Sequence, residues 1–347
     1  MHKREITIYD LAHKLNLSTA TISRALKDDP AVSKKTRNAI LDTAREMGYQ
    51  RNTFASSLRS TKTHTIGVIV PELNSHFITS VLSGIEKVTA KAGYDLLIAH
   101  SAESHKKEVG NAFNLFHKRV DGLIVSLAFN TQTLDHFDQF REKSIPVIFF
   151  DRVEENSNNT HVIIDNYKCG YQAAGHLIEQ GCKRIVLVTG SLKRNVYAQR
   201  HQGYVDALAD HHISYRENYV LVKDLNEQGG IEAAREIMNM PERPDGAFIT
   251  NDFTAAMCMQ TLKEQGIRIP QDIAIVGFND DAISKITEPA LTTIRYPGID
   301  MGEMAARQLL EQLADPATPG QTKTIIVRSE IIIRNSSLKS QNKITSR

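Results

Sequence analysis

The sequence predicts an α/β protein: a small three-helix head followed by a larger body of doubly wound parallel sheets. Three observations predict it. Helical periodicity with capping residues is concentrated in the first fifty residues. From Thr65 onward, short β-branched runs alternate with longer helical patterns, the arrangement that produces parallel sheets covered by helices on both faces. Charge is also divided: residues 1–64 carry 12 Lys and Arg against 6 Asp and Glu, whereas the remaining 283 carry 30 against 34 within an overall +2.

In the head, Ile8, Leu11, Ala12 and Leu15 fall at i, i+3, i+4 and i+7, one face of a helix, and Asn16 follows as a residue that tolerates the left-handed conformation of a helix stop. Ser18 or Thr19 can cap a second helix, on which Ile22, Ala25 and Leu26 turn inward while Thr19, Ala20, Ser23 and Arg24 face out. A third helix opens with Ser33 as cap before Lys34, Lys35, Thr36 and Arg37, and Ile40, Ala44 and Met47 carry its buried stripe to Gly48. The first two helices have the spacing of a helix-turn-helix unit. Small outward residues at a helix start let the backbone approach a major groove, where the Arg24 guanidinium can pair bidentately with guanine. An ordinary helical hairpin shares that apolar spacing. The segregated charge favours the DNA reading, because phosphate neutralisation calls for a basic head and makes binding salt-sensitive.

The segments Thr7-Ile8-Tyr9-Asp10-Leu11-Ala12, Leu17-Ser18-Thr19-Ala20-Thr21-Ile22-Ser23-Arg24 and Val32-Ser33-Lys34-Lys35-Thr36-Arg37 stand in the order and spacing of one family. The head resembles the lactose-repressor (LacI/GalR) family of bacterial transcription regulators. The resemblance implies that Thr19, Ala20 and Arg24 read bases, that Ser18, Thr21 and Ser23 contact phosphates, and that Tyr9 lies at the DNA. The family's usual turn glycine is Asn16 here. Tyr49 to Leu58, followed by the polar Arg59 to Thr63, resembles the family's hinge helix; on its own residues it reads as a flexible linker. As a hinge it would bring Asn52, Ala55 and Leu58 to the minor groove, with Leu58 as an apolar wedge that unstacks a base step at a cost of a few kcal/mol. Arg51 stands where the family commonly has proline.

Beyond the head, the length leaves about two domains of ~140 residues, each able to bury a core. Strands are expected at Ile66–Val70, Leu96–Ala99, Gly122–Val125, Pro146–Phe150, Ile185–Val188, Ala247–Ile249 and Ile273–Val276. No exact repeat is visible, although the two halves use the same βα theme. Such sheets place ligands at the carboxyl ends of their strands, and two of them facing each other would form a cleft. The family resemblance extends from about Ile6 to Ser337 through Ile66-Gly67-Val68-Ile69-Val70-Pro71, Val120-Asp121-Gly122-Leu123-Ile124, Ile163-Ile164-Asp165-Asn166, Val276-Gly277-Phe278-Asn279-Asp280 and Leu291-Thr292-Thr293-Ile294. It implies a two-lobed periplasmic-binding-protein-like body with three crossovers. The expected division is a head over 1–50, a hinge and linker over 51–63, a body over 64–337 and a polar tail over 338–347. Within the body, lobe 1 takes 64–164 plus 296–327, and lobe 2 takes 165–295 plus 328–337.

Effector positions follow from the same resemblance. Phe77, with His76 beside it, matches an aromatic that lies on the ligand, or else is a helix-start residue of the core. Asp151 and Arg152 end a strand, where a carboxylate and a guanidinium could bind vicinal hydroxyls or an anion; a surface ion pair is the alternative. Arg200 matches an arginine that family members point into the cleft. Arg194 could add a second donor, or be a solvated arginine at a helix start. Asn251 can donate to and accept from a hydroxyl, while Asp252 could be the helix cap. Asn279 stands where relatives often carry aspartate, which weakens the case for a protonated nitrogen on the ligand. Polar bidentate side chains with few aromatics, and Val196 and Leu225 at positions that purine-responsive members share, favour a sugar or sugar derivative over a nucleobase or nucleoside.

Other classes find little support. The sequence has no GxxxxGK[ST] loop, no GxGxxG after a strand and no GxSxG elbow, so no catalytic residues and no cofactor are expected. Cys169, Cys182 and Cys258 lack CxxC spacing and read as buried thiols. His100-Ser101-Ala102-Glu103-Ser104-His105 has the look of metal ligands but straddles a strand end and a helix start, so its histidines are expected to be solvated; His211-His212, adjacent near a helix end, face different ways, and no metal site is expected. MHKREITIYD has no apolar export core and no run nears the ~18 residues of a membrane span, so a cytoplasmic protein is expected rather than a secreted sugar-binding protein. The expected partners are double-stranded operator DNA, a small-molecule effector and a second copy of the chain. A symmetric dimer reads two half-sites, and the tail lacks the leucine heptads that would build a tetramer.

Overall fold

The computed structural model describes residues 6–49, 62–315 and 322–339, which fall into two units that divide between Thr63 and His64. The first unit holds α1 (Ile8–Leu15), α2 (Thr19–Ala25) and α3 (Lys34–Met47). Its boundaries have local causes. Asn16 adopts φ 52° and Gly48 φ 68°, the left-handed stops that end α1 and α3. Of the two residues able to cap α2, Ser18 does so: its Oγ accepts from the Thr21 amide at 3.1 Å, as Ser33 Oγ accepts from Thr36 at 3.2 Å ahead of α3. Each such cap stabilises a helix by about 1 kcal/mol. At α1 the Asp10 carboxylate accepts from both the amide and the hydroxyl of Thr7 at 2.7 Å. Leu11, Ile22, Ala25, Val32, Ile40 and Ala44 form the core between the three helices. The hinge positions Asn52, Ala55 and Leu58 lie outside the described residues.

The second unit opens with β1 (Thr65–Val70), α4 (His76–Lys91), β2 (Asp95–His100), α5 (His105–His117), β3 (Gly122–Val125), a 3-10 turn at Asp135–Phe137, α6 (Asp138–Glu142), β4 (Val147–Phe150) and β5 (Thr160–Ile163). It continues with α7 (Asn166–Glu179), β6 (Ile185–Thr189), α8 (Asn195–Asp210), β7 (Val220–Val222), α9 (Glu227–Asn239), β8 (Gly246–Ile249), α10 (Asp252–Glu264), β9 (Ala274–Asn279), α11 (Ile283–Ile286), β10 (Thr292–Arg295), α12 (Gly298–Ala314), β11 (Thr324–Ile326) and β12 (Ile331–Ile332). The strands form two sheets, ordered β11-β5-β4-β3-β1-β2 and β12-β10-β9-β8-β6-β7. Position by position the two orders are the same, so the βα theme read in both halves is a topological repeat without a sequence repeat.

All pairings are parallel except that of β12 with β10. The exception has a simple cause: β12 follows β11 of the other sheet through only four residues, with no crossover helix to restore the common direction. β3 and β8 are buried throughout, as continuous apolar strands covered on both faces should be. β5, β7, β10, β11 and β12 were not anticipated: β7, β11 and β12 hold only two or three residues, and β5 and β10 are four-residue strands that mix apolar residues with Thr, His or Arg. The chain passes between the sheets three times, at β5 to α7, β10 to α12 and β11 to β12. α7 and α8 cross closely because both carry glycine at the contact: a Cβ on Gly170 would meet the backbone of Arg200, and one on Gly203 the backbone of Tyr167 and Tyr171. That crossing anchors the helix that carries Arg200. Among the described residues, no helix is long and apolar enough to cross a membrane.

Candidate functional site

The head presents a compact polar face. On α2, Ala20 and Arg24 are exposed, Thr19, Thr21 and Ser23 are half-buried, and Ile22 and Ala25 point into the core. Ser18 is exposed, with its hydroxyl engaged as the cap and 2.9 Å from that of Thr21. Tyr9 is 68% exposed. Three head carboxylates are engaged locally: Asp28 with Arg37, Asp42 with Arg45 and Glu46 with Lys14. Arg24, Lys34 and Lys35 are exposed and make no ion pair among the described residues, which leaves positive charge available to a polyanion.

In the second unit, strand ends and helix starts of both sheets converge on one cluster. Arg200, nearly buried on α8, lays its guanidinium 3.5 Å from the centroid of Phe278 at the end of β9. Its Nε donates to Asn166 Oδ1 at 2.9 Å and its Nη1 to the Thr250 carbonyl at 3.4 Å. Tyr296 and Tyr197 flank it at 5.4 and 5.6 Å. Phe77, at the start of α4, stacks on Tyr296 with ring centroids 4.0 Å apart and planes 19° apart. Phe77 is therefore a buried helix-start residue, as the second of its two readings had it, and its ring packs on Tyr296.

Asp151 and Arg152 follow β4, and neither is on the surface. Asp151 has φ 58° and accepts hydrogen bonds from the hydroxyls of Tyr296 and, at 3.5 Å, Ser126. Burial pushes its carboxyl up, against the pull of Arg152. Arg152 pairs not with Asp151 but with Glu103, Nη1 to Oε1 at 2.6 Å, and donates to the Tyr197 hydroxyl at 3.3 Å. The alternative reading of a surface ion pair therefore fails: both residues are buried, and Arg152 finds its carboxylate partner in Glu103.

Arg194 also departs from the solvated reading. It is only 6% exposed and its guanidinium donates to the Thr131 carbonyl, so an arginine ahead of α8 reaches residues that follow β3 in the other sheet. Burial pulls its pKa down. The cap of α10 is Asn251, whose Oδ1 accepts from Thr254 at 2.9 Å. Asp252 is instead fully buried, accepting from the Thr293 hydroxyl at 2.7 Å and the Asp281 amide at 2.9 Å. Burial, with the Asp281 carboxylate nearby, raises it to about 7. Asn279 has φ 123°, a left-handed backbone uncommon away from glycine, and donates to Asp281 Oδ2 at 3.2 Å. His76 lies 3.1 Å from the same Asp281.

Sequence reasoning missed Glu103, Asn166, Tyr197, Phe278, Asp281 and Tyr296. Asn166 and Phe278 stood inside segments that carried the family pattern, and Tyr197, which lies against Arg152 and Arg200, is next to the buried Val196. The cluster is accordingly more aromatic than composition suggested. Tyr296 gave no signal, since its partner Asp151 is 145 residues away.

The comparisons agree with this architecture. Residues 7–52 match the bacterial regulatory proteins of the lacI family, and residues 174–337 match the periplasmic binding protein-like domain. The HTH-type transcriptional repressor PurR of Klebsiella pneumoniae is 30% identical over 332 residues, 95% of this chain and 96% of the relative. The lac repressor dimer bound to operator and the anti-inducer ONPF superposes with a TM-score of 0.86 at 23% identity, over 96% of this chain and all of that one. The transcriptional regulator CelR in complex with cellobiose gives 0.71 at 25% identity, again over 96% and 100%. The chain belongs to the lacI family of bacterial regulatory proteins, DNA-binding regulators of transcription with an effector-binding body.

Proposed function

We propose that the chain is a repressor that binds a palindromic operator as a homodimer and whose DNA affinity is set by a sugar or sugar derivative. Thr19, Ala20 and Arg24 read bases, Tyr9, Ser18, Thr21 and Ser23 contact the backbone, and Asn52, Ala55 and Leu58 enter the minor groove. The body over 64–337 binds the effector between its lobes, divided as the resemblance implies. The observation that carries the effector reading is Arg200 over Phe278, with the Asp151 carboxylate and the Arg152 guanidinium close by. A sugar offers an apolar C–H face to aromatic rings and paired hydroxyls to carboxylates and guanidiniums, and this cluster carries both kinds of partner. His76, Phe77, Arg194, Asn251, Asp252 and Asn279 complete the proposed site, with Asp252 acting through Asp281. The CelR–cellobiose complex supports the same class.

One observation favours a second reading. The stacked Phe77–Tyr296 pair and Tyr197 form a wall that a nucleobase or nucleoside could also use. Thermal-shift screening of the full chain against sugars, sugar phosphates and nucleosides separates the two, since a ligand at 100 times its Kd stabilises by about 2.7 kcal/mol. Stabilisation by nucleosides alone would replace the sugar reading. Coupling is reciprocal: operator DNA must change effector affinity by the factor by which effector changes operator affinity.

A further inference from the structure

The flank of the first sheet holds a group of side chains that the regulator reading leaves unused. His105 opens α5, Glu108 follows one helical turn later on the same face, and His136 comes from the 3-10 turn after β3. A ring nitrogen of each histidine and a carboxylate oxygen of Glu108 all lie within 4.8 Å of one another. Glu108 is fully buried. Its Oε1 accepts from Thr131 Oγ1 at 2.9 Å and lies 3.0 Å from His136 Nε2, while its Oε2 accepts from the Ala128 amide at 2.7 Å.

An ion pair between Glu108 and His136 accounts for two of the three residues. It does not account for His105, whose Nε2 is shut off from solvent and has no hydrogen-bond partner, with its ring edge-on to His136 at 5.2 Å. A desolvated imidazole nitrogen beside a second imidazole and a carboxylate is the donor set of a borderline-soft cation. Ligand bonds of about 2.0–2.1 Å at tetrahedral angles place donors ~3.3 Å apart, close to the observed Glu108–His136 spacing. Thr131 and Ala128 hold the carboxylate as outer partners commonly hold a metal-ligating carboxylate. The solvated histidine expected from the sequence is therefore His100, which is exposed, and not His105.

We propose that His105, Glu108 and His136 bind one divalent transition-metal ion of the Zn²⁺ class, with a fourth position left to water. The test is titration of the chelator-stripped full chain with Zn²⁺ against a competing fluorescent chelator, alongside Co²⁺ substitution read by its visible d–d absorption. Wild type is expected to take up one tight ion per chain and to give the tetrahedral cobalt spectrum. His105→Ala and His136→Gln should each weaken binding at least about tenfold, while His211→Ala, at an exposed histidine, should not. The His105 side chain donates and accepts no hydrogen bond among the described residues, so His105→Ala is expected to fold, as circular dichroism would verify, and it decides the matter should His136→Gln not fold. Absence of stoichiometric uptake by wild type, or uptake that His105→Ala leaves unchanged, overturns the proposal.

Discussion

Gly203→Ala probes how the body holds Arg200, the arginine proposed to face the effector. An ideal Cβ at position 203 would lie 2.6 Å from the Tyr171 amide nitrogen and closer still to the Tyr167 carbonyl oxygen, where ordinary contact begins at 3.4 Å. α7 and α8 would have to part by about 1.3 Å to admit it. The obstacles are backbone atoms, which cannot rotate aside, so the overpacking cost falls in the range of about 1–3 kcal/mol. Alanine returns up to about 1 kcal/mol through helix propensity. The net expectation is destabilisation of about 1–2 kcal/mol. Gly175, on α7, has nothing within 4 Å of its would-be Cβ, and Gly175→Ala should instead stabilise by about 0.5–1 kcal/mol. The chain has no tryptophan, so urea denaturation followed by far-UV circular dichroism is the assay. A Gly203→Ala protein as stable as wild type would refute the close crossing. Because Arg200 lies on the displaced helix with its backbone against Gly170, effector affinity should fall in the same variant.

Three further outcomes are expected. Arg200→Ala removes the charge-assisted partner proposed for the effector and should weaken effector binding by about 10–100-fold while operator affinity in gel shift is retained; a normally responsive variant removes Arg200 from the site. Arg24→Ala should cost roughly 1–3 kcal/mol of discrimination at one base position in competition binding, and an equal loss on every sequence would mean that it touches only phosphate. Asp252 has a folded pKa of about 7 against an ordinary 3.8, so its contribution to stability is present below about pH 4 and is lost as pH rises toward 7. Asp252→Asn should flatten stability against pH in that window, where one such group contributes at most about 1.4 kcal/mol per pH unit. A slope identical to wild type in urea titrations would show that Asp252 ionises normally.

The head was legible from sequence almost residue by residue, because its signals are local. The i, i+3, i+4 spacing of Ile8, Leu11 and Ala12, the left-handed Asn16 and Gly48, and the Ser33 cap each act within one helical turn. Seven of the twelve strands among the described residues were legible for a similar reason: a strand buried in a parallel sheet is apolar along its run, whatever it packs against. The strand ends that carry Asp151 and Asn279 were legible as well, whereas Arg200, within α8, was read from the family pattern.

What tertiary structure alone decided was the partner of each polar group. Arg152 sits beside Asp151 in the chain yet pairs with Glu103; Arg194 reaches Thr131 in the other sheet; Tyr296 meets Asp151, and His105 meets His136. Periodicity reports which face of an element is apolar. It carries no information on which charge or ring a later return of the chain delivers to that place, and it is this delivery that determines burial, hydrogen bonding and proton affinity.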